Sequence, residues 1–352
     1  MLIIRADGLG DVVMTLPAIS AVRDLWPGAR ITLLGGSPAR VLLPHLRAVD
    51  GAMFLDLPWA QRSVRRINWS ELRRILRDIR RRGFDLIIDL RGDFRNIFLM
   101  QAMGSGFKIG YGWSGCGFLL DREIPWEEGR HEVEHQRDVA RVFGAWPGRA
   151  ETKDNSNETA RFDLAVADED WDAVRGRFPA LEAAPDGFVI VHPGAQWPGR
   201  QWTVAGYAGV SDRIAGELGL PVVVTGVRRE RDFCNAVLAR MEKTPIDLVD
   251  RVTFSEFLAV LSRARLFLGV DSGPMHLAVA LGVPTVALFG PGDPAAIGPY
   301  GPRSIVVSEA GGFACSPCAQ DDCPFEGRSC MDAIGVEHVW QVVLKQLSGR
   351  SS

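Results

Sequence analysis

Short runs of consecutive apolar residues alternate with longer amphipathic stretches, and the alternation happens twice along the chain. In the first half, residues 2–5, 31–34 and 85–90 read as buried strands, while 12–25 and 71–82 carry helical spacing. In the second half the strands are 188–191, 222–225, 266–270 and 285–288, and helical runs lie at 204–218, 230–241, 254–262 and 275–281. A strand apolar at every position is covered on both faces, and strands separated by helices are joined by crossovers. The pattern therefore predicts two α/β domains with parallel sheets.

Residues 151–158 contain no large apolar side chain, so the seam is expected there. This gives a first domain over 1–160, a bridging segment over 161–186 with a helix near 171–181, and a second domain over 187–352. The C-terminal helix of the second domain is left free to pack back on the first. A length of 352 residues suits two domains, and 47% hydrophobic with 24% charged residues excludes a mostly disordered chain. The net charge of −3 gives no global drive toward nucleic acid. Only four of the 40 basic residues are lysines, which fits either a coding bias or a demand for bidentate anion contacts. No run reaches the roughly 18–20 apolar residues that span a bilayer, and Arg5, Asp7 and Asp11 interrupt any leader-like segment. A cytoplasmic protein is expected, in which the cysteines stay largely reduced.

Three strand-to-helix turns carry the candidate chemistry. The first, Arg5-Ala-Asp-Gly-Leu-Gly-Asp11, places Gly8 and Gly10 where backbone approaches a ligand closely, with Asp11 at the opening of a helix. Val13 stands where a dinucleotide fingerprint needs its third glycine, which disfavours a dehydrogenase. Asp11 reads either as a helix cap or as a reacting carboxylate. The second turn, His192-Pro-Gly-Ala-Gln-Trp-Pro-Gly-Arg200, sets an arginine beside free amides, which suits a diphosphate. His192 reads as a ligand contact or a strand-end partner, and Trp197 and Trp202 as packing. In the third, Asp271-Ser272-Gly273-Pro274 opens a helix on which His276 occupies the first turn, forming a second anion site.

Taken together, GLGDVVMTLPA, VHPGAQWPGRQW and GVDSGPMHLAVALGVPTVALFGP resemble glycosyltransferase family 9, the ADP-heptose:lipopolysaccharide heptosyltransferases, over nearly the whole chain. The resemblance implies the GT-B fold: two Rossmann-like domains with parallel sheets facing across a cleft. It also implies inverting transfer without a catalytic metal. Residue by residue, Asp11 matches the family's base, Arg200 its basic diphosphate residue, and Asp271, Ser272, Gly273 and His276 its diphosphate turn. Glu230 matches, more loosely, a carboxylate for the nucleoside ribose, because Arg228 and Arg229 depart from the pattern. The implied partners are an ADP-heptose donor and a phosphorylated glycolipid or glycan acceptor, with peripheral contact at the inner membrane. Another nucleotide sugar, a protein acceptor or a nucleotide-binding module without turnover are the competing readings. A module would have no use for a carboxylate opposite the diphosphate.

Residues 62–82 hold nine arginines against Glu71 and Asp78. They read as a solvated helix face or, for Arg62, Arg65 and Arg66, as contacts to acceptor phosphates or anionic headgroups. Arg91 and Arg95, with Asp93 between them, are further acceptor candidates. Finally, Cys315, Cys318, Cys323 and Cys330 follow a C-x2-C-x4-C-x6-C spacing. A structural zinc or iron site, two disulfides and four free thiols all fit that spacing. Cys116 and Cys234 read as isolated core thiols.

Overall fold

The computed structural model describes residues 1–61, 63–104, 106–144, 160–182, 187–318, 322–325 and 327–348; the expected seam at 151–158 lies outside them. The chain forms two compact units, Met1–Ala165 and Val166–Ser352.

The first unit runs β1 (Leu2–Arg5), α1 (Leu9–Leu25), β2 (Thr32–Gly35), β3 (Gly51–Phe54), α2 (Trp69–Arg82) and β4 (Leu86–Asp89). It continues through α3 (Phe94–Met103), β5 (Phe107–Tyr111), β6 (Arg122–Ile124) and α4 (Glu132–Gly144). Its six strands are all parallel, in the order β3-β2-β1-β4-β5-β6. β1, β2 and β4 are buried at every residue, as their apolar interiors require, and they carry Arg5, Thr32 and Asp89 at their ends into the interior with them. Leu2, Ile4, Leu34 and Ile87 meet Ile75 and Ile79 of α2 and Met100 of α3 in one core. Asn68 caps α2 by accepting from the Glu71 amide, and Gly83, at φ +60°, ends it in a left-handed turn.

The second unit starts with α5 (Asp168–Arg177), β7 (Val189–His192), α6 (Val204–Glu217), β8 (Val222–Val224), α7 (Arg231–Arg240) and β9 (Ile246–Asp247). Then come α8 (Phe254–Leu261), β10 (Leu266–Val270), α9 (Gly273–Ala280), β11 (Thr285–Phe289), α10 (Pro294–Ile297), β12 (Ser304–Ser308) and α11 (Val336–Ser348). This sheet is also all parallel, ordered β12-β11-β10-β7-β8-β9. Counted within its own unit, that is the strand order of the first sheet repeated.

The bridging segment divides between the units. Leu164 forms an isolated bridge with Leu46, and the Ala165 amide donates to the His45 carbonyl. α5 packs on α8, tied by Asp168–Arg263 at 2.8 Å and Arg177–Glu256 at 2.6 Å. α11 buries Val339, Trp340 and Val343 against β11, β12 and α6, so its apolar face is taken up by its own unit. Cys116 departs from expectation: it is only partly buried and sits at φ +64° in the β5–β6 loop, whereas Cys234 is buried.

In each sheet the chain reverses its direction of winding between the first and fourth strands, β1/β4 and β7/β10. That reversal opens a crevice at the strands' carboxyl ends, where ligands of such sheets bind. All three motif turns leave β1, β7 or β10.

Candidate active site

In the first unit the crevice is lined by charge. Gly8 is the N-cap of α1, and its amide donates to Asp11 Oδ2 at 3.1 Å. Asp11 therefore caps its helix, yet its side chain keeps 41% of its surface and the other oxygen lies 3.4 Å from Arg5 Nη2. Capping and exposure are compatible because each uses a different oxygen. Arg5 is buried at the end of β1 and also contacts Asp7 at 2.9 Å, Glu132 at 2.9 Å and the Leu90 carbonyl. Burial opposes the Arg5 charge, but Glu132 and Asp11 outweigh it, and its pKa is raised.

The β4–α3 turn adds Asp89, Arg91, Asp93 and Arg95. Asp89 accepts from the Gly92 amide and from Asn96 Nδ2, both at 2.8 Å; burial nevertheless pushes its carboxyl up to about 6. Arg91 pairs with Asp7 and Asp93 and donates to the Trp59 carbonyl; burial, then the nearby Arg5 charge, lowers its pKa. Arg95 makes two hydrogen bonds to Asp93, at 2.8 and 2.6 Å. Arg65 and Arg66 are exposed in the loop before α2, and Arg62 lies outside the described residues. The structure thus brings Asp11, Arg91 and Arg95 to neighbouring strand ends and leaves Arg65 and Arg66 on a separate loop. Arg5, Asp7, Asp89 and Glu132 were not foreseen as part of this network. Charges terminating the otherwise apolar runs at 2–5 and 85–90 were the available signal, whereas Glu132 had none.

In the second unit, β7 delivers the loop to Arg200, and β10 delivers Asp271 with Ser272 as the N-cap of α9. Arg200 Nη1 lies 2.7 Å from Asp271 Oδ2. Asp271 and His276 are both buried, whereas Ser272 and Gly273 remain partly open. The amides of an eight-residue helix and a guanidinium thus meet at one mouth, suited to an anion. His192 is buried between Thr225 Oγ1 at 2.9 Å and Glu230 Oε2 at 3.5 Å. Glu230 is 6% exposed and accepts from the Val227 amide. Burial opposes its charge, but His192 and that amide prevail and hold its carboxyl below the usual range. A Cβ on Gly194 would lie 2.4 Å from the Glu230 carboxyl carbon, so any side chain there would have to displace that carboxylate. Trp202 is core, its indole donating to the Ile334 carbonyl.

The family model for glycosyltransferase family 9 (heptosyltransferase) matches residues 72–328. The chain belongs to this family. Lipopolysaccharide heptosyltransferase 1 of Pseudomonas aeruginosa is 26% identical over 337 residues, 93% of this chain and 88% of that one. The glycosyltransferase family 9 structure from Veillonella parvula superposes with a TM-score of 0.79 at 23% identity, covering 99% and 97% of the two chains. The E. coli ADP-heptose lps heptosyltransferase II structure gives 0.77 at 20% identity, covering 100% and 99%. The chain is a glycosyltransferase with the GT-B fold.

The four clustered cysteines of this family 9 glycosyltransferase line one cavity of about 70 Å³, which also touches Gly199 and Pro291. Among the described residues no three His, Cys, Asp or Glu side chains are arranged to hold a metal ion. The zinc or iron reading is one of the three that the spacing left open, and the described side chains give it no further support. The Cys318 amide is fixed to the Pro291 carbonyl at 2.8 Å, while Cys330 packs where a Cβ on Gly290 would come within 3.0 Å of its sulfur. Burial, then the neighbouring Cys323, raises the Cys330 thiol pKa. Cys318 and Cys330 tie this segment to the turn after β11. No helix among the described residues is long and apolar enough to cross a membrane.

Proposed function

We propose that this glycosyltransferase moves heptose from ADP-heptose to a phosphorylated glycolipid of the lipopolysaccharide core, inverting the anomeric centre, at the cytoplasmic face of the inner membrane. Family membership supports the transferred sugar, and the relatives' names support the donor and acceptor. One geometric observation carries the chemistry: a partly exposed carboxylate at the opening of α1, with one oxygen committed to the helix cap and the other beside a buried arginine.

In the proposed step the acceptor hydroxyl oxygen bonds to the anomeric carbon as the bond from that carbon to the diphosphate oxygen breaks. The electron pair of the broken bond leaves with ADP, and the hydroxyl proton passes to Asp11. Arg200, the amides of Ser272 and Gly273, and His276 are the groups proposed to take up charge on the departing diphosphate. Glu230 is proposed at the nucleoside end, and Arg91 and Arg95, with the loop of Arg62, Arg65 and Arg66, at the acceptor phosphates.

The test is nucleotide release from a panel of ADP-, GDP- and UDP-sugars, measured with and without delipidated core saccharide. ADP-heptose should be turned over fastest. Asp11→Asn should lower that rate about 10²–10⁴-fold while leaving ADP affinity within a factor of two. Equal turnover of all donors, or an ADP affinity lost along with the rate, would contradict the reading.

A further inference from the structure

The first unit carries an outer surface that the proposed chemistry does not use. Six of the nine large apolar side chains that stay exposed among the described residues fall between positions 69 and 126, and all six are aromatic. Trp69 begins α2, Phe94 and Phe98 lie one turn apart on α3, and Trp113, Phe118 and Trp126 lie in the β5–β6 loop and just beyond β6.

These elements adjoin. α2 packs beside α3, with Arg80 Nε donating to the Ala102 carbonyl, and α3 packs on the turn of Phe118, with Gln101 donating to the Leu119 carbonyl. The Phe94 and Phe98 rings meet edge to face at 6.4 Å, and the Phe94 amide donates to Ser114, next to Trp113. α2 buries Leu72, Ile75 and Ile79 and turns six arginines, Arg73, Arg74, Arg77, Arg80, Arg81 and Arg82, to solvent, opposed by Glu71 and Asp78.

We infer that α2, α3 and the β5–β6 loop form the surface by which the first unit docks on an anionic bilayer. Aromatic rings favour the headgroup level, where an apolar body and a polar surround are both satisfied. A row of arginines beside them is attracted to acidic headgroups within a Debye length. Phe118, 85% exposed, and Trp69, 59% exposed, stand off the protein, while Trp113 and Trp126 pack on each other at the margin of the surface. Protruding rings suit a fluid lipid layer better than a shaped protein partner. The surface adjoins Arg91 and Arg95 at the start of α3, so a docked unit would hold those arginines at the depth of lipid-borne phosphates. Only that last consequence rests on the proposed glycolipid acceptor.

The experiment is co-sedimentation of the full chain with phosphatidylglycerol/phosphatidylethanolamine vesicles and, separately, with phosphatidylcholine vesicles. Binding should be confined to the acidic vesicles and fall with salt. Phe98→Ser/Phe118→Ser and Arg73→Gln/Arg77→Gln should each reduce it at least fivefold while retaining the wild-type circular dichroism and ADP-induced melting shift. Binding unaffected by either pair, equal binding to phosphatidylcholine, or no binding by the wild type overturns the inference. If a serine variant unfolds, the wild type decides alone: brominated phosphatidylglycerol must quench its tryptophan emission, and unquenched emission overturns the inference. Transfer to delipidated saccharide is followed in parallel. Lost vesicle binding with intact transfer is the expected behaviour of the variants. A wild type that binds vesicles but transfers no heptose refutes the proposed function and leaves the surface standing.

Discussion

Asp11 owes its setting to side chains far away in sequence. Arg5 sits between Asp11 and Glu132, and Gln136 donates to both Glu132 and the Leu90 carbonyl, at 2.6 and 2.8 Å, so α4 helps to fix the arginine that faces the proposed base. Removing one carboxylate from a buried charge group leaves its partner uncompensated. Glu132→Gln should therefore cut turnover at least about tenfold, in the range expected of a displaced general base, while ADP affinity, proposed to reside in the second unit, stays unchanged. Parallel rate and isothermal titration measurements check this. Asp89 gives a test that needs no substrate. Its folded pKa of about 6 lies above the ordinary value of 3.8, so its contribution to stability is present below about pH 4 and lost as pH rises through 6. Between pH 4 and 7, Asp89→Asn should gain on the wild type by up to about 3 kcal/mol in unfolding free energy. Urea titrations at the two pH values would show the difference, and parallel stability curves would refute it.

At the level of elements, legibility followed burial. β1, β2, β4, β7, β8, β10 and β11 were visible because every residue is buried and each run has no polar side chain except at an end. β5 was hidden by Lys108 and Gly110, and β6, β9 and β12 by their places near or at sheet margins, where half-exposed positions dilute the pattern. α3 reads as FRNIFLMQAM, with apolar residues on its exposed side as well as its buried one, so no clean helical stripe survives. The turns were legible for a local reason: glycine, proline and aspartate at a strand-to-helix junction carry their geometry in a few consecutive residues. The Arg5–Glu132 contact joins positions 127 apart and leaves no such trace. The second-unit turns also depend on close approach. Gly194→Ala would push a methyl into Glu230 and loosen the His192–Glu230 contact. It should cost about 1–3 kcal/mol, as overpacking does, and weaken ADP binding; a calorimetric scan with and without ADP measures both.

Across the whole molecule, the strand order of the first sheet is repeated in the second, and each unit closes its own core. The four-cysteine segment and α11 both belong to the second unit, the one tied to the turn after β11 and the other covering β11 and β12. The proposed donor groups, Arg200, Glu230, Asp271 and His276, then all reside in one half of the chain, and the proposed base and acceptor groups in the other. Such a division makes the sequence modular. A chimera joined at Ala165–Val166, with the second half of a relative that prefers a different nucleotide sugar, should inherit that relative's donor and keep this chain's acceptor. A hybrid whose donor preference followed the first half would show the two duties to be shared. Natural recombination at the same junction would pair old acceptors with new sugars without either crevice being rebuilt.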